Sequence, residues 1–329
     1  MPKLQEVIPP YEQMYLLNQK LIQDAEQFTA PLIAVGGQAV QYWVSYYYHR
    51  YPVLPDARLI TSVDCDYSAR TDDIIAIART LNVKSFLNKS GQPPSLAQFQ
   101  LLDKDTHQIM QSDNRLFADP DHPDIANVVD IIDCPGGFET KELFGKKLHL
   151  LTTPFYVEAT EPGMPEMHEK IRVLNPIACM RSRFNNLIKL RRSPTIEVAR
   201  INALKIPCYF FLLEQFDEQP YRIARDIFMT LYELAWDEDN LRHQVFWDTW
   251  QGPLGSAEQS KNISLPDILE RVHSYLEARF DDFEDLPEAF VTKELPVKLT
   301  RLRERFNRYV VMNRAGAARG RRGWEINRV

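Results

Sequence analysis

Apolar residues recur at helical spacing in residues 11–30, where Met14, Leu17, Leu21 and Ala25 share one face, so the chain is expected to open with an amphipathic helix. The short apolar run "PLIAVGG" follows and reads as a strand ending in paired glycines. "QAVQYWVSYYYHRY" then reads as an aromatic-rich helix. Residues 59–68, "LITSVDCDYS", read as a strand even though they carry two aspartates, a residue type depleted in strands. Thr71 stands where an N-cap belongs, with acids behind it, so a helix is expected over 71–83. "SLAQFQLLDKD" and "ANVVDIIDCP" read as strands, and "KKLHLLTTPFYVEAT" as one or two more.

After "VLNPIAC" the grammar changes to long helical patterns at 177–191, 195–215, 220–236, 264–280 and 296–312, punctuated by Pro and Gly. The expected fold class is therefore α+β. A mixed β-sheet domain with flanking helices is expected over 1–172, followed by an all-helical domain over 173–329 that ends in a basic tail.

Composition narrows the class. A chain of 329 residues, 44% hydrophobic and 26% charged, can bury a sizeable core and is not expected to be disordered throughout. No apolar run approaches the ~18 residues of a membrane span. The N-terminus lacks the apolar region of a signal peptide, so a cytoplasmic protein with no membrane partner is expected. The four cysteines, Cys65, Cys134, Cys179 and Cys208, form no CxxC pair, which argues against a disulfide framework or a structural zinc site. The net charge of -6 argues against a protein that simply coats nucleic acid. Yet Lys298–Val329 holds ten Lys/Arg against two acids, and "RSRFNNLIKLRR" (181–192) is a second basic cluster. Local binding of a polyanion is therefore open to this chain.

The candidate chemistry lies in the first half. Side chains two apart on a strand share a face, so Asp64 and Asp66 are expected to project together while Cys65 turns into the core. Like charges this close repel unless a cation relieves them, and Mg²⁺ binds one or two carboxylates together with substrate phosphates. Asp130 sits among Val128, Val129, Ile131 and Ile132, where an unpaired charge is costly. If its strand lies beside the Asp64/Asp66 strand, the three carboxylates could hold two metal ions ~3.5–4 Å apart, as used for in-line phosphoryl displacement. Asp133 has the opposite parity. Gly36 and Gly37, at a strand–helix junction, would let backbone N–H groups approach a phosphate. Together these parts describe nucleotidyl transfer from a nucleoside triphosphate.

Strand–Gly-Gly–helix, then "TSVDCD", then "VVDII", resembles the DNA polymerase β-type nucleotidyltransferase superfamily, and within it most closely the AbiEii/AbiGii toxin family. The resemblance covers residues 30–135 by motif and 175–215 more loosely. It implies a nucleotidyltransferase-like domain with a helical C-terminal half, and Ser62 fits the Ser or Thr that stands two residues before the first aspartate. It further implies a Mg²⁺-dependent transfer of a nucleoside monophosphate to RNA, such as tRNA, or to a protein hydroxyl. Asp64, Asp66 and Asp130 would be the catalytic and metal-binding residues, and Gly36, Gly37, Ser62, Arg181 and Lys189 would contact nucleotide phosphates. The implied biology is a toxin or phage-defence component with a cognate antitoxin. Three departures stand out: Gly-Gly replaces Gly-Ser, the interval between Gly37 and Asp64 is long, and "MRSRFNNLIKLRR" replaces the later Lys/Arg motif.

Each feature also has a plain structural reading. A lone DxD is commonly a solvated turn, and Gly-Gly a simple bend. "RSRFNNLIKLRR" fits a helix whose Phe184, Leu187, Ile188 and Leu190 are core. The aromatic run fits core plus helix surface, and His49 and His122 have no partners at metal spacing. "FGKK" lacks the P-loop spacing, and "HEK" lacks the second histidine of a zinc protease. Two alternatives therefore remain: a non-catalytic nucleotide- or RNA-binding regulator on the same fold, and a helical interaction protein with a scaffold domain.

Overall fold

A computed structural model describes residues 6–87, 95–159, 162–249 and 263–318; the basic tail from Arg319 onward lies outside the described residues. The chain divides into two compact units, Met1–Ser182 and Arg183–Val329.

In the first unit the order is α1 (Pro10–Gln23), β1 (Leu32–Ala34), α2 (Gly36–Tyr46), α3 (Ala57–Ile60), β2 (Cys65–Ser68), α4 (Ile74–Leu81), β3 (Val83–Leu87) and β4 (Ser95–Asp103). Four short strands follow, β5 (Gln111–Ser112), β6 (Arg115–Leu116), β7 (Ala118–Asp119) and β8 (His122–Ala126). Then come β9 (Val128–Ile132), α5 (Thr140–Leu143), α6 (Leu148–Leu151), β10 (Thr152–Pro154), β11 (Ile171–Leu174) and α7 (Pro176–Ile188), which crosses the division between units. Seven strands form one mixed sheet in the order β10-β11-β1-β2-β9-β4-β3. β2 runs antiparallel to β1 and parallel to β9, and β9 runs antiparallel to β4. The fold is thus α+β.

Strand periodicity decides which side chains enter the core. Cys65, Tyr67, Ala97, Phe99, Leu101, Val129 and Ile131 are all buried, as expected for Cys65. The alternate positions Gln98 and Gln100 are exposed, and Asp66 and Asp130 half-buried. α1 buries Met14, Leu17 and Leu21, the face its spacing predicts.

Several elements differ from the sequence expectation. The "LI" of "LITSVDCDYS" closes the helical turn α3, because Asp56 accepts from the Arg58 backbone N–H at its start. The strand therefore begins only at Cys65, and Asp64 precedes it by one residue. Thr71 does not cap α4; a 3₁₀ turn, Thr71–Asp73, leads into it. Asp73 instead reaches back to the chain before β1, accepting from the N–H of Thr29 at 2.6 Å, the Thr29 hydroxyl at 3.0 Å and the N–H of Ala30 at 3.1 Å. Since Asp73 is buried, Asp73→Ala is expected to cost about 2 kcal/mol of stability in a denaturant titration. Within "KKLHLLTTPFYVEAT" the first part is α6 and only Thr152–Pro154 is strand. The boundary expected near residue 172 lies inside β11, which pairs with β1, and the units divide ten residues later.

The second unit is helical: α8 (Pro194–Glu218), α9 (Tyr221–Trp236), α10 (Glu238–Thr249), α11 (Leu265–Ala278), a π-helical turn at Phe290–Glu294 and α12 (Leu295–Ala318). α10 was not expected, although the acids Glu238 and Asp239 suit a helix start. A capping box opens α11: Ser264 Oγ accepts from the Asp267 N–H at 3.3 Å, and Asp267 accepts from the Ser264 N–H at 2.8 Å. Leu241, Val245 and Phe306 join α10 to α12. Among the described residues no helix is long and apolar enough to cross a membrane.

Candidate active site

The sequence left open whether the strand of Asp130 lies beside that of Asp66. It does: β2 and β9 are paired, with Asp66 directly opposite Asp130. On the far side of β9, Gln98 of β4 is opposite Asp130. Adjacent strands lie ~4.8 Å apart, so Asp66, Asp130 and Gln98 form a continuous polar row on the face away from the buried side chains. Gln98 Nε2 donates to Asp130 Oδ1 at 2.8 Å, which fixes one carboxylate oxygen.

The Gly-Gly corner meets the row at Asp66. α2 begins at Gly36, whose φ of 70° lies in the left-handed region that favours glycine. A Cβ on Gly36 would stand 2.1 Å from Asp66 Oδ2, so this carboxylate occupies the space that glycine leaves. The Val35 N–H also donates to the Asp66 carbonyl at 2.9 Å. The start of a helix, with N–H groups that lack intrahelical acceptors, is thereby set against an acidic row.

Asp64 joins the row electrostatically. It keeps an exposed edge, but partial burial, and then the facing carboxylates of Asp130 and Asp119, raise its pKa above the usual carboxylate value. A carboxyl whose folded pKa is raised stabilises the fold below the unfolded pKa, and that contribution is lost as pH rises through the folded value. Asp64→Asn is therefore expected to melt higher than the parent at neutral pH, with the difference closing in acid. Thermal melts from pH 4 to 8 check this sign.

No family model matches the sequence, no curated protein matches it, and no solved structure matches it. The site is read from its own geometry.

The remaining expected residues are distributed differently. Ser62 is half-buried, and its carbonyl accepts from Gln38 Nε2. Gly37 is buried in the first turn of α2. Arg181 donates to Glu142 Oε2 at 3.1 Å and lies 4.3 Å from the centre of the Phe138 ring. Burial alone would raise the Glu142 pKa, but the Glu139 N–H and Arg181 hold it below the usual value. Arg183 forms a buried ion pair with Glu197 at 3.5 Å, so this part of the basic cluster is internal. Phe184 and Leu187 are buried, whereas Leu190 and Lys189 are exposed; Lys189 belongs to the second unit.

Four residues at the site escaped sequence reasoning: Gln98, Asp119, Asn127 and Gln38. Register picks out Gln98, hydrogen bonding Asn127 and Gln38, and the charge felt by Asp64 picks out Asp119, although Gln38 directly follows the glycine pair.

Among the described residues no three His, Cys, Asp or Glu side chains are gathered closely enough to hold a metal ion by themselves. Mg²⁺ usually keeps several waters and takes one or two carboxylates plus substrate phosphates. Asp66 and Asp130, opposite one another in paired strands, are two carboxylates of the number such a cation takes, and the three-carboxylate cluster expected with Asp64 is not gathered among the described residues.

Proposed function

We propose that this chain is a Mg²⁺-dependent nucleotidyltransferase that transfers a nucleoside monophosphate from a nucleoside triphosphate to a hydroxyl of RNA, such as tRNA, or of a protein. The observation that carries this reading is the in-register pair Asp66 and Asp130, with Gly36 packed on Asp66 at a helix start. Bound Mg²⁺ would neutralise the triphosphate and polarise its α-phosphate.

The chain's own groups have separable tasks. The N–H groups at the start of α2 would bind phosphate oxygens. Asp66, Asp64 and Asp130 would supply carboxylate oxygens to the cation. Asp130, with Oδ1 held by Gln98, has Oδ2 left to accept the proton of the attacking hydroxyl. The acceptor oxygen bonds to the α-phosphorus as the bond to the bridging oxygen breaks, and pyrophosphate leaves with that electron pair. Arg181 would neutralise phosphate by exchanging its Glu142 partner. By resemblance, the biological role is that of a toxin or phage-defence component with a neutralising partner.

A second reading is a non-catalytic nucleotide- or RNA-binding regulator. What favours it is Arg181, already bonded to Glu142 and stacked on Phe138. Incubation with Mg²⁺, each α-labelled nucleoside triphosphate, total RNA and lysate separates the two. Label transfer supports the enzyme, and nucleotide binding without transfer supports the regulator.

A further inference from the structure

Asp64 stands one residue ahead of β2, outside the ladder that fixes Asp66 and Asp130. Its position depends on the backbone of Ser62 and Val63, and a buried side-chain amide holds each of those carbonyls. Gln38, in the first turn of α2, donates from Nε2 to the carbonyl of Ser62 and, at 3.4 Å, to that of Pro10. Asn127, the residue before β9, donates from Nδ2 to the carbonyl of Val63 at 2.9 Å and to Gln13 Oε1 at 2.7 Å. Gln38 is 1% exposed and Asn127 3%. Asn127 is pinned in turn, since its Oδ1 accepts from the Val128 N–H at 2.8 Å. Gln13 Nε2 donates to the carbonyls of Ile8 at 2.7 Å and Ala118 at 2.9 Å.

We propose that Gln38 and Asn127 are positioning residues that grip the Ser62–Val63 backbone and hold the Asp64 carboxylate in the row with Asp66 and Asp130. The proposal rests on the nucleotidyltransferase reading, under which the placement of Asp64 matters. Asp64 lies in the bend between α3 and β2, outside the strand pairing that fixes Asp66 and Asp130, so only the backbone before it sets where its side chain stands. A buried amide bonded to a carbonyl holds that backbone, because breaking the bond leaves both groups unsatisfied away from water. The two amides come from different elements, so the bend is held from both sides. α2 also carries Gly36, so one helix start sets the environment of Asp66 and the tether of Ser62 together. An apolar side chain would fill the same volume but leave the two carbonyls unheld.

The test titrates Mn²⁺ alone into the full chain, read by electron paramagnetic resonance, alongside thermal melts and amide exchange over residues 60–66. The variants are Asp64→Asn, Gln38→Met and Asn127→Ser. The expected result is Mn²⁺ binding by the parent that Asp64→Asn weakens. Gln38→Met and Asn127→Ser should keep a cooperative melt, exchange faster over 60–66 and bind Mn²⁺ at least about 10-fold more weakly. Parent-like Mn²⁺ affinity in both amide variants, with Asp64→Asn impaired, overturns the positioning role and leaves the enzyme reading standing. If the parent binds no Mn²⁺, or Asp64→Asn binds it normally, the enzyme reading fails and the positioning role with it. Loss of the cooperative melt in both amide variants assigns the amides to the core and also overturns the proposal.

Discussion

Asp66→Ala and Asp130→Ala are each expected to reduce nucleotidyl transfer by about 10³-fold or more while the chain stays folded. Charge stabilisation at a transferring phosphoryl group is worth several kcal/mol, and on the proposed function these carboxylates would anchor the cation that supplies it. Neither side chain is core: both are half-buried on the face opposite Cys65, Val129 and Ile131. Truncating Asp130 frees only Gln98, which is exposed and returns to water. A thermal melt of Asp130→Ala should therefore match the parent, and far-UV circular dichroism should show both variants folded. Initial rates with an α-labelled triphosphate should fall to background in both variants.

The second large effect is expected at Gly36. Gly36→Ala places a methyl group 2.1 Å from Asp66 Oδ2 on a backbone with φ of 70°. The backbone conformation alone costs about 1–2 kcal/mol for a residue with a Cβ. Relieving the clash must also displace the Asp66 carboxylate or the start of α2. The expected outcome is a lowered melting temperature together with a loss of transfer approaching that of Asp66→Ala. The double variant Gly36→Ala/Asp66→Ala separates the two causes. It should recover part of the lost stability, because the clash is gone, and none of the activity. A single variant with parental activity would show that Asp66 and Gly36 do not act as one unit.

The sequence made the carboxylates legible because burial imposes rules that a single strand can display. Asp130 stands out among four apolar neighbours, and buried Cys65 before half-buried Asp66 follows the two-residue alternation, whereas Asp64, expected on the same strand, lies ahead of it. Pairing between strands is different. Nothing local to "VVDII" says that Asp130 lies opposite Asp66 rather than elsewhere in the sheet, since that is set by chain topology. Gln98 and Asn127 were invisible for the same reason: exposed and buried amides look alike until their partners are placed. The local misreadings have local causes. Leu59 and Ile60 read as the start of a strand because they are apolar, but Asp56 is a helix-starting residue that outweighs two apolar positions. Thr71 has the sequence context of a cap because it precedes acids, whereas Asp73 binds Thr29 and Ala30, contacts between residues 44 and 43 apart in sequence. The basic cluster at 181–192 divides by burial, with Arg183 paired inside against Glu197 and Arg181 bound to Glu142. Charge alone could not separate those two.

The most direct test is a crystal structure of the full chain with Mn²⁺ and a non-hydrolysable nucleoside triphosphate analogue, with the anomalous signal of manganese recorded. An anomalous peak is expected at the Asp64, Asp66 and Asp130 carboxylates, with phosphates against the backbone of Gly36 and Gly37. Manganese and phosphates bound elsewhere on the chain, with the carboxylate row untouched, would contradict it.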